Sequence, residues 1–248
     1  MRNVPALLRR ELNAYFASVL GYVVIMFFLL VMGVSFVSIV GELLSRGSTQ
    51  LTVMESFFSW FWLPSLFLVP AITMRLLAEE KRAGTLEMLM TAPVTDFEVV
   101  LAKWLGAVAL YTLMWAATGS YIVILRHFSG GQAALDLGPI FSGYLGIVVI
   151  GQFLIAIGLM TSAMTRNQVT AFLIAFAMLF LYLIAIWFGY YFTRGTAAGK
   201  VFEFLSAFEQ MNDFQRGVVD LRPLVLYASG TVMALFVTTR VVESRKWR

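Results

Sequence analysis

The chain has 248 residues, of which 60% are hydrophobic and 13% are charged, and its mean hydropathy is +0.84. Soluble domains carry roughly 25% charged residues, so this composition predicts an integral membrane protein. The net charge is +4, cysteine is absent and His127 is the single histidine, which excludes disulfides, thiolate nucleophiles, zinc fingers and a Ser-His-Asp relay.

An amphipathic helix is predicted at residues 2–16. Its apolar stripe at helical spacing consists of Val4, Leu7, Leu8, Leu12 and Tyr15. Three arginines, at positions 2, 9 and 10, lie on the other faces. Such a stripe is typical of a helix that lies in the membrane interface. A soluble cap of the first span has the same amphipathicity and stays an alternative.

Six uncharged apolar runs approach or exceed the roughly 20 residues that a helix needs to cross a hydrocarbon core of about 30 Å. The runs are 12–41, 56–74, 104–125, 137–165, 167–193 and 223–239. They are continuous and longer than the alternating segments of about 10 residues that form membrane barrels, so they predict helices. We place the spans at about 18–40, 57–76, 99–125, 140–163, 168–192 and 222–240, in a single transmembrane domain of residues 1–248.

The second span carries two features of a lateral path for a substrate. Pro64 and Pro70 each lack a backbone donor and can break or kink the helix, although a kink packed by neighbouring helices is an equal alternative. Trp60 and Trp62 belong to an aromatic cluster that fits the outer aromatic belt. The same cluster is suited to line an entrance for a lipid-like substrate.

The densest group of charges lies at residues 75–103, between the second and third spans. Within it, residues 85–90 can form a short helix with Thr85 as its N-cap, Glu87 in its first turn and Pro93 as its stop. Residues 95–98 have the Ser/Thr-x-x-Glu pattern of a capping box that opens the third helix. We therefore predict a compact cytoplasmic helix-turn-helix, and an ordinary solvated loop is the alternative.

A second amphipathic segment is predicted at residues 200–218, on the outer side. The apolar face carries Val201, Leu205, Phe208 and Met211. The polar face carries Glu203, Glu209, Asn212, Asp213 and Arg216. The segment is too polar to span the membrane. It is predicted to rest at the outer interface or to cap the ends of the helices.

The distribution of basic residues predicts the orientation. Six spans put both termini on one side, and 12 of the 18 Lys and Arg residues lie in the segments on that side. The positive-inside rule therefore predicts cytoplasmic termini. The basic surplus is explained by this topology, so we do not predict nucleic-acid binding.

Residues 79–95, EEKRAGTLEMLMTAPVT, resemble the signature of the permease subunits of type-2 ABC exporters: an acidic-basic pair, Gly-Thr-x-Glu-x-Leu, and Pro-Val-Thr. Segments 204–208, 214–220 and 243–247 are similar to the gliding-motility-type branch of that family. Six spans, an N-terminal interfacial helix and an outer amphipathic segment also match. One departure is Ala207, where relatives of this branch often have proline.

The resemblance implies that the loop after the second span forms a coupling helix that docks on a cytoplasmic ATPase subunit. It assigns docking to Glu80, Arg82, Gly84, Thr85, Glu87, Leu89 and Pro93, with Arg9, Arg10 and Glu11 as further contacts. It also implies a bacterial inner-membrane location and pairing with a second copy or a related permease. Close helix contacts are permitted by small-residue spacings such as Gly158-x-x-x-Ser162.

This chain is expected to hydrolyse no ATP and to bind no cofactor or metal. Its nearest approach to a P-loop, residues 195–201, has three residues between the glycines and ends in valine. ATP and Mg are therefore expected on the partner ATPase subunit. The substrate is not specified, since one fold serves many cargoes.

Two other functions stay open. An autonomous secondary transporter normally uses ionisable residues inside its spans, whereas none of the six runs contains one, which favours a permease driven from outside the membrane. A structural subunit of an envelope or motility complex could use the same fold without moving a solute.

Overall fold

Helices are the only regular structure in residues 3–46, 53–84, 94–128, 136–193 and 195–244, which are the residues that the structure, a computed structural model, describes. In chain order they are α1 Val4–Phe16, α2 Val19–Arg46, α3 Val53–Ser59, α4 Trp62–Thr73, α5 Ala78–Ala83, α6 Asp96–Ala117, α7 Ser120–Phe128, α8 Leu137–Met164, α9 Gln168–Phe192, α10 Ala197–Leu205, α11 Ala207–Gln215 and α12 Leu221–Glu243.

Within the described ranges, six helical stretches are long and apolar enough to cross a membrane. They are Val19–Glu42, Trp62–Ala83, Asp96–Phe128, Leu137–Met164, Gln168–Phe192 and Leu221–Glu243. This confirms the prediction of an all-α membrane protein with six spanning helices. The most buried of them is α8, which packs against α4, α6, α9, α11 and α12. The least buried are α2 and α9, whose apolar outer faces suit contact with lipid.

The third stretch begins at Asp96, eight residues before the uncharged run at 104–125. The predicted capping box is confirmed: the Glu98 N–H donates to the Thr95 hydroxyl and the Thr95 N–H donates to the Glu98 carboxylate, each at 3.2 Å. These bonds satisfy donors that a helix start leaves open. The helix therefore carries Lys103 inside it.

Both prolines of the second stretch are buried in α4. Pro64 is the third residue of α4, where a missing N–H costs little, whereas Pro70 lies inside the helix. The helix ends one turn after Pro70, where the Met74 N–H donates to the Pro70 carbonyl at 2.9 Å. The chain then turns through four residues before α5 begins.

The segment predicted at 200–218 is divided at Ser206 into α10 and α11. The Ser206 hydroxyl accepts from the Glu209 N–H at 3.4 Å and caps α11. Because of this break, the predicted common face is wrong: Val201 is exposed and Met211 is fully buried. Ala207 is the first residue of α11, a position that readily accepts proline, so the departure noted above does not alter the helix start.

The bundle has two ends, named here after the short helices that cover them. The α1 end holds α1, α5, the start of α6 and the last turns of α8, which touch one another. The α11 end holds α3, α10 and α11, and there the Ser142 hydroxyl of α8 donates to the Phe214 carbonyl at 2.6 Å. His127 is exposed in α7 and packs edge-on against Phe128.

Candidate functional site

Charged side chains from four segments meet at the α1 end. We call this group the charged cluster; it consists of Arg10, Glu11, Arg75, Glu79, Glu80 and Lys103. Arg10 and Glu11 come from α1, Arg75 follows α4, the two later glutamates belong to α5 and Lys103 belongs to α6. The group holds three formal positive and three formal negative charges around a cavity of about 330 Å³.

Lys103 is the centre of the charged cluster. Its side chain is 2% exposed, and its Nζ donates to Glu11 Oε1 at 3.1 Å and to Glu80 Oε1 at 2.8 Å. A buried ammonium is tolerated only when it is paired and hydrogen-bonded. Through these two bonds α6 holds α1 on one side and α5 on the other.

Two arginines lie beside Lys103 and its two carboxylate partners. Arg10 donates to Glu11 at 2.9 Å and to Glu80 at 3.3 Å. Arg75 donates to Glu79 at 2.7 Å and, through Nη1, to the Ser18 hydroxyl at 2.7 Å. The second bond connects the end of the second span to the turn between α1 and α2.

Tyr15 adds a further link between α1 and the second span. Its hydroxyl donates to the Ile72 carbonyl at 3.2 Å. Burial raises the pKa of this hydroxyl well above its usual value, with the Glu11 carboxylate acting in the same direction. The hydroxyl therefore stays protonated and remains a donor over the physiological range.

The α5 segment is also tied to α8. The backbone N–H groups of Leu77 and Ala78 both donate to the Ser162 hydroxyl at 3.1 Å, and Lys81 donates to the Ala163 carbonyl. One turn earlier, a Cβ added to Gly158 would lie 2.4 Å from the Thr73 hydroxyl. The small-residue spacing seen in the sequence thus serves a close contact between α8 and the second span of the same chain.

Of the residues assigned to docking, Glu80 lies in the charged cluster and Arg82 and Gly84 are exposed at the end of α5. Thr85, Glu87, Leu89 and Pro93 lie outside the described residues. Gly84 has a φ of +71° and ends α5 in the left-handed conformation. The predicted coupling helix therefore follows directly on a helix end that is set by glycine.

Replacing Gly84 with alanine is expected to lower the free energy of unfolding by about 1–2 kcal/mol, because a Cβ is unfavourable at this φ. No described atom lies within 4 Å of the added Cβ, so the cost is conformational and not steric. Gly84→Asn is the control, since asparagine adopts this conformation more readily. Chemical denaturation in detergent would contradict the assignment if alanine and asparagine had equal costs.

The three N-terminal residues assigned as partner contacts differ in exposure. Arg9 is exposed and the Arg10 side chain is half exposed, whereas Glu11 is buried against Lys103. Sequence reasoning missed Lys103 as its partner. The available signal was the position of Glu11 on the apolar stripe, four residues after Leu7 and four before Tyr15.

Two apolar cavities open along α4, where the lateral path was predicted. Pro64 lines one of about 420 Å³ between α2, α4 and α9, and Trp62 lines another of about 510 Å³ between α4, α9 and α11. Leu63 borders both. Trp60 is half exposed and Pro70 is buried; neither lines these two cavities.

The family model described as "ABC-2 family transporter protein" matches residues 67–245. The chain belongs to the ABC-2 transporter family. Together with its six spanning stretches, this makes it a multi-pass transmembrane transporter subunit and confirms the resemblance to ABC-2 permeases. The match to the ABC-2 family includes α5 and Lys103 and begins after α1. No curated protein matches the chain.

Proposed function

We propose that this chain is the permease subunit of an ATP-driven ABC-2 exporter and that a separate cytoplasmic ATPase subunit docks on the loop 79–98. One observation carries the proposal. The buried Lys103 bonds to both Glu11 and Glu80, so the segment that leads into the loop is tied to α1 and α6. A force applied to the loop reaches the spans through these ion pairs.

The attachment of α5 suits the transmission of movement. It is bonded to α6 through Glu80, to α8 through Ser162 and Lys81, and it continues the second span. A segment held in this way cannot shift alone, because each shift would leave buried polar groups unpaired at a cost of about 1–3 kcal/mol each. Movement of the loop is therefore expected to be shared by several helices.

In this proposal the ATPase subunit contacts Arg82, Gly84, Thr85, Glu87, Leu89 and Pro93, with Arg9 and Arg10 beside them. Glu11 and Glu80, which were also assigned as contacts, have a different role, since both act inside the chain as partners of Lys103. ATP and Mg bind the ATPase subunit. The termini face the cytoplasm of a bacterial inner membrane, and two permease chains complete the pathway.

The proposed cycle has two states. Closure of the ATPase pair pushes the helix at 85–90 and swings the first, second and fifth spans between inward-open and outward-open forms. The cavities along α4 support this choice of spans, since both lie between α4 and α9 and one also borders α2. We also assign the chain to the gliding-motility-type branch on its C-terminal segments.

Lys103 gives little support to an autonomous secondary transporter, although it is ionisable and buried. It lies seven residues after Asp96, about 10 Å along the helix, and therefore near one end of the span. Both carboxylates beside it are shared with Arg10. Ion coupling through the membrane normally uses groups along the pathway across the bilayer.

Glu87→Lys is expected to abolish stimulation of the ATPase subunit while the permease still inserts and folds. The tagged chain is purified from native membranes in mild detergent, the retained soluble subunit is identified by mass spectrometry, and ATP hydrolysis is measured after reconstitution. Reversal of charge at a docking contact replaces attraction with repulsion, which costs several kcal/mol.

The matched control is Glu203→Lys, which makes the same charge change on an exposed residue of α10. It is expected to leave retention and hydrolysis unchanged. Unchanged coupled hydrolysis in Glu87→Lys would overturn the docking assignment. Retention of a P-loop subunit with no transport in vesicles would instead favour the structural subunit.

A further inference from the structure

The cavity of about 510 Å³ between α4, α9 and α11 has a lining suited to one class of ligand. Six aromatic side chains line it: Trp62, Phe180, Trp187, Tyr190, Tyr191 and Phe208. Its volume falls within the roughly 300–1,000 Å³ of ligand-binding cavities. Trp187 and Tyr191 are about half exposed on α9, so the cavity opens on an exposed apolar face of this helix.

Among the described residues that line this cavity, Glu209 is the one with a formal charge. Within the part of the chain that the structure describes, its carboxylate makes no ion pair and no hydrogen bond. Glu209 is half buried in the first turn of α11. An unpaired carboxylate beside an aromatic cavity attracts a cationic group, which the ring faces also favour.

Helix capping does not account for Glu209. Residues 206–209 have the Ser-x-x-Glu pattern of a capping box, in which the glutamate would accept from the Ser206 N–H. That N–H instead donates to the Glu203 carbonyl at 3.1 Å. At Thr95 the same pattern forms both bonds. The two sites therefore differ, and the Glu209 carboxylate lines the cavity without capping the helix.

We propose that this cavity binds amphiphiles that enter from the bilayer and carry an ammonium group on an apolar body. The ammonium pairs with Glu209 and lies against aromatic faces, whose ring quadrupoles attract cations. The apolar body fills the space along α4 and α9. This deepens the proposed function by naming the substrate class of the lateral path, and it assigns Trp62 but not Trp60 to that path.

The test measures binding to the purified chain in lipid nanodiscs without any ATPase subunit. The probe is dodecyltrimethylammonium below its micellar concentration, compared with dodecyl sulfate of equal chain length. Saturable binding of the cation with little binding of the anion is expected. Equal affinity for the two probes would overturn the proposal, because partition into lipid alone would explain it.

Two matched pairs of variants locate the site. Glu209→Gln is expected to weaken cation binding about tenfold, a loss of about 1.4 kcal/mol, while Glu203→Gln leaves it unchanged. Trp62→Leu is expected to weaken binding, while Trp60→Leu does not. If the two variants of each pair bound the cation with equal affinity, the assignment of the site to this cavity would be overturned, even if the wild-type chain binds the cation.

These outcomes are independent of ATPase docking. Binding is measured on the permease alone, so failure of the Glu87→Lys prediction would not alter the binding result. Loss of charge selectivity in the cavity would likewise leave coupled hydrolysis intact.

Discussion

Replacement of Lys103 by methionine is expected to lower the free energy of unfolding by about 3–5 kcal/mol, the range for removing one partner of a buried ion pair. The side chain is 2% exposed and bonds to Glu11 and Glu80. Without the ammonium these two carboxylates lie close together in a poorly solvated site and lose a cation that both of them contact. Chemical denaturation in detergent measures the loss.

Arg222→Met is the control for this prediction. Arg222 is 79% exposed and lies 3.9 Å from Asp220, and exposed pairs contribute roughly 0–1 kcal/mol. A triple variant that also carries Glu11→Gln and Glu80→Gln is expected to recover part of the loss, because it leaves no carboxylate without its ammonium partner, and the Arg10 guanidinium that remains is half exposed. Equal losses of unfolding free energy for Lys103→Met and Arg222→Met would show that the buried pair stabilises the fold no more than the exposed pair does.

Gly158→Leu is expected to cost about 3 kcal/mol, at the upper end of the range for overpacking. Even a Cβ at this position would lie 2.4 Å from the Thr73 hydroxyl oxygen and 2.9 Å from its methyl group. Relief requires α8 to move away from α4, which would also stretch the bonds from Ser162 to the backbone of Leu77 and Ala78. The measurement is again denaturation in detergent.

Gly41→Leu is the matched substitution for Gly158→Leu. No described atom lies within 4 Å of a Cβ at Gly41, so this change is expected to be nearly neutral or slightly stabilising in an exposed apolar helix. A loss in Gly158→Leu no larger than in Gly41→Leu would contradict the close contact between α8 and the second span.

Sequence patterns predicted the features that depend on neighbours along the chain. Apolar runs gave the six spans because length and hydropathy alone decide whether a helix can cross lipid. The capping box at Thr95 could be predicted from the sequence because both of its bonds join residues three positions apart. The helix at 85–90 stays a prediction, since it lies outside the described residues.

Features that depend on contacts between distant parts of the chain could not be predicted from the sequence. Glu11 and Lys103 are 92 positions apart, and only the fold shows that one neutralises the other. Lys103 lay outside the uncharged run 104–125 but inside the predicted span 99–125, and the sequence did not show which carboxylates neutralise it there. Likewise, helical spacing could not reveal the break at Ser206, where one backbone bond to Glu203 replaces the bond expected from Glu209.

The bond between Glu11 and Lys103 joins two helices that are made at different times during synthesis. Residues of α1 precede α6 in the chain and leave the ribosome earlier, so α1 is available when the third span enters the bilayer. The buried Lys103 ammonium depends on paired carboxylates, and Glu11 is one of the two that the structure provides. A helix made earlier in synthesis thus supplies a neutralising partner for a helix made later in the same chain.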